Sequence, residues 1–290
     1  MKPAIDRMIE GIMKLKAPVC VGLDPSPDLV PSHILERNKG DMPKAFLEFN
    51  KGIIDAVRDI VPVIKPQIAF YERYGLDGLR AYLETVSYAK SQGLMVIGDI
   101  KRGDIGSVSA AYAEAHISPE GPDFVTVNPY LGRDSVEPFV EACKKHGKGI
   151  FVLVVTSNPG GEDIQGLELA SGKKLYEHVG SLVARWGKEL IGAKGYSSVC
   201  AVVGATFPAQ AKALRELMPQ TFFLIPGYGA QGGTAADVAV SFDQQGLGGV
   251  VNSSRGIIGA WKKEGTGETF AESARVAAIK MIEDIRGYVK

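Results

Sequence analysis

Eight short runs of apolar, largely β-branched residues recur along the chain, and six of them end in Gly, Pro, Ser or a charged residue. They are PVCVGLD (18–24), VPVIKPQIAF (61–70), LMVIGDIK (94–101), DFVTVNP (123–129), IFVLVVTS (150–157), SVCAVVGAT (198–206), TFFLIPG (221–227) and GVVNSS (249–254). Their apolarity is continuous rather than alternating, which requires strands covered on both faces, as in a parallel sheet. Amphipathic segments fill the intervals. Phe46, Phe49, Ile53, Val57 and Ile60 form one stripe, Leu76, Leu79, Leu83 and Val86 a second, and Leu175, Val179, Leu182, Trp186 and Leu190 a third. Asp41 and Pro43 open the first helix and Gly93 closes the second. Strand and helix alternating eight times predicts an α/β fold of the closed (β/α)8 TIM-barrel type; an open doubly wound sheet is the competing arrangement.

A chain of 290 residues is long enough for two domains, but α/β barrels commonly occupy about 250 residues as one unit. No low-complexity tract or Ser/Gly linker divides it, so residues 1–290 are expected to form one barrel domain with an extra N-terminal helix. Long loops rich in Pro, Gly and charge are expected at 25–40 and 158–172, where they would overhang the top of the barrel as lids. The 33 basic and 33 acidic residues balance, so nothing draws the whole molecule to nucleic acid or to a membrane surface. Asp6 and Glu10 interrupt what would be the apolar core of a signal peptide, and the apolar runs are too short for a membrane helix. Three scattered cysteines, Cys20, Cys143 and Cys200, make no disulfide framework. A cytoplasmic, reducing compartment is expected.

Polar residues collect where these strands end: Asp24, Lys65, Asp99, Lys101, Asn128, Ser157, the glycine-rich segment 227–233, and Arg255. Barrel enzymes build their sites on that face. Asp99 and Lys101 stand two apart in an extended strand, so both are expected to point into the barrel mouth, with Asp104 following on the loop. A structural ion pair that closes the barrel is the plainer explanation of this motif. Gly227, Gly229 and Gly232 satisfy G-x-G-x-x-G, yet they follow the seventh strand and lack the acidic residue of a dinucleotide fingerprint. Bare glycine amides and a helix N-terminus instead predict an anion nest for a single phosphate, with Arg255 of SSRGI (253–257) as a forked partner. No pair among the four histidines has metal-ligand spacing, Ser157 has no histidine near it to make it a nucleophile, and the cysteines read as inert core.

In their order, GLDPSP (22–27), KPQIAFYE (65–72), DIKRGDIGS (99–107), TVNPYLGRDS (126–135), TSNPGG (156–161), PGYGAQGG (226–233) and SSRGI (253–257) make a chain that resembles orotidine 5'-phosphate decarboxylase, most closely its longer bacterial branch. The resemblance covers nearly the whole length. It implies loss of CO2 from orotidine 5'-phosphate to give UMP in pyrimidine synthesis, with neither metal nor organic cofactor. It casts Lys101 as the acid that protonates C6 and sets Asp99 against the departing carboxylate. Lys65 would pair with Asp99 and the ribose, and Asp24 would take a ribose hydroxyl. Ser157 would meet the pyrimidine edge, with Asn128 a further substrate-binding candidate, while Tyr228, Gln231, Arg255 and the Gly256 amide would hold the phosphate. Asp104 would complete the site of a partner subunit in a homodimer. Val108 stands where the family usually has Thr, and Ser107 or Ser109 is the available hydroxyl. A Mg2+-dependent sugar-phosphate decarboxylase of the same superfamily, which shares D-x-K-x-x-D, and a non-catalytic barrel that binds phosphometabolites are the alternatives.

Overall fold

A computed structural model describes residues 2–289. All eight apolar runs are strands: β1 (Val19–Leu23), β2 (Val63–Pro66), β3 (Met95–Arg102), β4 (Phe124–Val127), β5 (Gly149–Val155), β6 (Ser197–Val203), β7 (Thr221–Pro226) and β8 (Gly249–Ser253). They pair in parallel in sequence order and close between β1 and β8, where Val19 stands opposite Val251. Closure settles the choice against an open sheet.

Both strand faces are buried, which explains the unbroken apolarity. Cys20, Val63, Ile97, Phe124, Phe151, Cys200, Phe222 and Val250 fill the barrel interior, whereas neighbours such as Val21, Ile64, Val96, Val125 and Ile150 pack outward with the surrounding helices. The Phe124 and Phe151 rings meet at 5.2 Å between centroids. Below this interior lies the N-terminal helix, Ala4–Leu15. Its Ile5, Met8, Ile9 and Ile12 recur at helical spacing and join the interior cluster, so the helix plugs the lower mouth. Buried Asp6 locks it there by accepting hydrogen bonds from the Ala193 and Lys194 amides.

The helix Met42–Val57 is capped by Asp41, whose carboxylate accepts from the Lys44 amide, and it buries Phe46, Phe49, Ile53 and Val57 as its stripe predicts. The second stripe is misplaced. On the helix Gly75–Ser91, Leu76 is 82 % and Leu83 60 % exposed, and the buried face is Gly78, Ala81, Tyr82, Thr85, Val86 and Ala89. Small residues let this helix pack closely; an alanine Cβ at Gly78 would lie 1.9 Å from the carbonyl oxygen of Tyr71, in the short helix Ala69–Glu72 before it. The third stripe is only half-buried. Its helix, Leu175–Trp186, buries Tyr176, Gly180 and Val183, and Leu190 lies beyond its end. Segment 25–40 contains a helix, Ser32–Arg37, and is pinned down: Leu29, Val30 and Ile34 are buried and the Trp261 indole donates to the Leu29 carbonyl. Segment 158–172 holds the short 3-10 turn Pro159–Asp163. No helix among the described residues is long and apolar enough to cross a membrane.

Candidate active site

At the C-terminal mouth of the barrel lies a cavity of about 560 Å³, and the first three strands deliver charge to it. Lys65, at the end of β2, places its Nζ 3.0 Å from Asp99 Oδ2 and 3.6 Å from Asp24 Oδ1. On the other side of Asp99, Lys101 Nζ donates to Oδ1 at 2.6 Å. The order is therefore Asp24, Lys65, Asp99, Lys101, with signs alternating. Lys65 and Asp99 are buried, at 5 % and 9 % side-chain exposure, whereas Lys101 at 45 % turns its ammonium to the open cavity. Burial works against both inner charges, and their neighbours outweigh it. Asp24 and Asp99 raise the pKa of Lys65 above the usual lysine value, and Lys65 and Lys101 hold the Asp99 carboxyl well below the carboxylate range.

Strand alternation does not explain how Asp99 and Lys101 meet. Between Gly98, opposite Val125, and Arg102, opposite Val127, β3 advances four residues while β4 advances two. Lys101 sits in this bulge with φ +46°, a left-handed conformation that is strained for a side-chain-bearing residue. Thr126, across the bulge on β4, accepts from the Lys101 amide at 2.9 Å and donates to Asp99 Oδ1 at 2.8 Å.

The opposite half of the cavity is apolar at depth, where Leu153, Val202 and Leu224 of β5 to β7 form its wall, with Thr156 and Ser157 above them. Such a lining, mostly apolar with a few polar groups at one side, is that of a small-molecule pocket. Two buried oxygens in the cavity, Asp24 Oδ1 and Asn252 Oδ1, have no hydrogen-bond partner among the described residues. Such acceptors are costly unless a ligand hydroxyl satisfies them. Close packing here explains the glycine of GLD: a Cβ on Gly22 would stand 1.9 Å from Ser254 Oγ.

The glycine-rich loop differs from the expected nest. Gly227, Gly229 and Gly232 all take positive φ, as only glycine does readily, but the chain turns back on itself. The Gly229 amide donates to the Gly233 carbonyl, Gly233 to Gly227, and Gly232 to Gly229, so these N–H groups are spent inside the loop. The following short helix is capped by Thr234 and Asp237. What the loop turns to the cavity is Tyr228, Ala230 and Gln231, while the Tyr228 hydroxyl donates to Asp284 at 2.5 Å. Ser253, Ser254 and Arg255 face them from the end of β8, where the turn Arg255–Ile258 begins and its first amides have no intrahelical acceptor.

Eight residues singled out in the sequence therefore line one cavity: Asp24, Lys65, Asp99, Lys101, Ser157, Tyr228, Gln231 and Arg255. Gly256 lies just behind Arg255 in the first helical turn. Asn128 and Asp104 lie outside the lining. Asn128 is exposed and its Oδ1 accepts from the Tyr130 amide, and Asp104 Oδ1 accepts from the Ile105 amide. Ser109 is fully buried and donates to the Ser135 carbonyl, which leaves Ser107 as the exposed hydroxyl beside Val108. Gln67, Thr126, Asn158 and Asn252 also line the cavity, although none of them is among the residues the sequence points to; Thr126 and Asn252 lie within strands rather than at the collected strand ends. Cys20, Cys143 and Cys200 are buried free thiols whose pKa values burial pushes up, which fits inert core. Among the described residues no group of three or more His, Cys, Asp or Glu side chains is placed to hold a metal ion.

Residues 17–270 match the Orotidine 5'-phosphate decarboxylase / HUMPS family. Orotidine 5'-phosphate decarboxylase of Clostridium perfringens (strain SM101 / Type A) is 47 % identical over 284 residues, 97 % of each chain. That of Rhodopirellula baltica is 45 % identical over 293 aligned positions, covering 96 % of this chain and 97 % of its own. The solved structure of Leishmania donovani OMP decarboxylase superposes with a TM-score of 0.80 at 29 % identity, covering 99 % of this chain and 98 % of that one. With strand order, charged cavity and relatives in agreement along the same length, the chain belongs to the orotidine 5'-phosphate decarboxylase family.

Proposed function

We propose that this protein decarboxylates orotidine 5'-phosphate to UMP and CO2 in pyrimidine biosynthesis, without a cofactor. The observation that carries the reading is the alternating Asp24, Lys65, Asp99, Lys101 array, with the Lys101 ammonium open to a nucleotide-sized cavity. When the bond from C6 to the carboxylate breaks, its electron pair stays on a ring carbon that has no electron sink. CO2 leaves, and a proton must reach C6 at once. Lys101 gives its Nζ proton to C6 and regains one from solvent, and its positive charge stabilises the carbanion before transfer. Asp99, anionic at neutral pH, lies against the departing carboxylate. At ~4 Å and an effective dielectric near 20, that repulsion is about 4 kcal/mol, about three decades of rate. So unfavourable a carbanion needs more, supplied by Lys101 and by binding energy from the remote phosphate.

The Asp24 and Asn252 oxygens that lack a hydrogen bond accept from ribose hydroxyls, Asp24 keeping its 3.6 Å ion pair with Lys65, and Lys65 spans Asp99 and the ribose. Ser157 meets the pyrimidine edge above the apolar wall. Arg255, Gln231 and the Gly256 amide hold the phosphate, with Arg255 as the forked cation, and Tyr228 lines the same end of the cavity with its hydroxyl proton given to Asp284. The working unit is a homodimer in which Asp104 reaches the partner's site. The exposed apolar side chains Ile105 and Val108, next to Asp104 on its loop and the helix that follows, and Tyr130 and Leu131 after β4 support that surface. The buried free thiols suit a cytoplasmic setting. The test is turnover by EDTA-treated protein at micromolar concentration. Loss of the orotidine 5'-phosphate absorbance with matching release of UMP is expected. No loss of substrate, or a strict requirement for added Mg2+, refutes the reading.

A further inference from the structure

We infer that Thr126 is a positioning residue for this reaction, an inference that rests on the decarboxylase reading above. Its hydroxyl has one proton and its lone pairs, and both kinds of bond are committed. The proton goes to Asp99 Oδ1 at 2.8 Å, and a lone pair takes the Lys101 amide at 2.9 Å. A regular parallel ladder would pair that amide with a β4 carbonyl, but the bulge between Gly98 and Arg102 takes it out of register, and pairing resumes at the Asn128 amide and Arg102 carbonyl. One hydroxyl therefore replaces the missing ladder bond and holds Lys101 in its left-handed backbone, φ +46°. The same hydroxyl orients the carboxylate that Lys101 Nζ reaches. Asp99 Oδ1 is shared by Thr126 and Lys101 while Oδ2 faces Lys65, so three donors fix one carboxylate plane. Thr126 is 1 % exposed, and valine would match its shape while deleting only the hydroxyl. Acting through Asp99 and Lys101, Thr126 governs where the proton donor stands relative to C6 and leaves the phosphate end untouched.

The experiment compares kcat, KM for orotidine 5'-phosphate, UMP affinity and thermal midpoint in wild type, Thr126→Val, Thr126→Ser and Thr126→Ala. Thr126→Val is expected to lower kcat by about 10- to 100-fold, with KM and UMP affinity unchanged, and Thr126→Ser to restore most of kcat. If the Val variant does not fold, the Ser and Ala pair carries the same comparison. Hydrogen exchange at the Lys101 amide reads the anchor without turnover: protected in wild type and Thr126→Ser, fast in Thr126→Val. Wild-type kcat in Val or Ala overturns the inference, as does a Ser variant as slow as Val, or a loss confined to KM and UMP affinity. Wild-type protein that turns nothing over refutes the decarboxylase reading itself, an outcome distinct from these.

Discussion

Replacing Asp99 with Asn removes the anion that stands between two lysines, and the consequence is visible in stability as well as in rate. Lys65 Nζ lies 3.0 Å from Asp99 Oδ2, with its side chain 5 % exposed. At an effective dielectric near 20 the gross attraction of such a pair is about 5 kcal/mol. Desolvation offsets part of it, and breaking a buried pair from one side typically costs about 3–5 kcal/mol. Asp24 remains 3.6 Å from the ammonium and softens the loss, so the lower end of that range, about 3 kcal/mol, is expected. The pair with Lys101 adds little, because Lys101 is 45 % exposed, and pairs that water reaches contribute about 0–1 kcal/mol. Urea unfolding at pH 7 should then show a lower midpoint with an unchanged slope. The pH dependence has a definite sign. Asp99 has a lowered pKa in the folded state, so its contribution is complete above the unfolded carboxylate value of about 4 and is lost as pH falls toward the folded value. Lys65, with a raised pKa, contributes fully below the unfolded lysine value of about 10.4 and loses stability only as pH rises beyond it. The gap between wild type and Asp99→Asn should therefore be constant from about pH 5 to pH 9 and narrow toward pH 3. Equal stabilities at pH 7, or a gap undiminished at pH 3, would refute the reasoning.

Arg255→Ala should raise KM by about 10- to 100-fold, the cost of about 1.5–3 kcal/mol for a charge-assisted bond to phosphate, with a smaller effect on kcat; an unchanged KM would remove Arg255 from the phosphate site. Ile105→Asp places a charge on the exposed apolar patch beside Asp104. Sedimentation should find monomer, with activity falling as the dimer is lost, and a fully active monomer would count against a cross-subunit Asp104.

The strands were legible because covering both faces forces continuous apolarity, and their shortness and β-branched content separate them from buried helix segments. Helix faces were legible only where bulk marks them. Phe46, Phe49, Ile53 and Val57 are large and buried, but on Gly75–Ser91 the buried face is built largely from Gly78, Ala81, Thr85 and Ala89, and Leu76 and Leu83 look outward. In the candidate site, Lys65 and Asp99 stand out because a charge within an apolar strand is costly unless partnered. Thr126 and Asn252 do not, since a strand threonine or asparagine is ordinary in isolation and the bulge that makes Thr126 matter has no sequence mark. For the glycine loop the residue type signalled unusual backbone, but not whether its amides would turn outward or close on themselves.

The central claim is that Lys101, held by Asp99 at 2.6 Å, delivers the proton to C6. Its most direct measurement is Lys101→Ala, with single-turnover decarboxylation and UMP affinity read on the same preparation. Loss of the rate by about four decades or more, the upper range of a general acid together with its charge, with UMP still bound through the phosphate site, is the expected result. A Lys101→Ala enzyme that still decarboxylates at a rate near wild type would contradict the account.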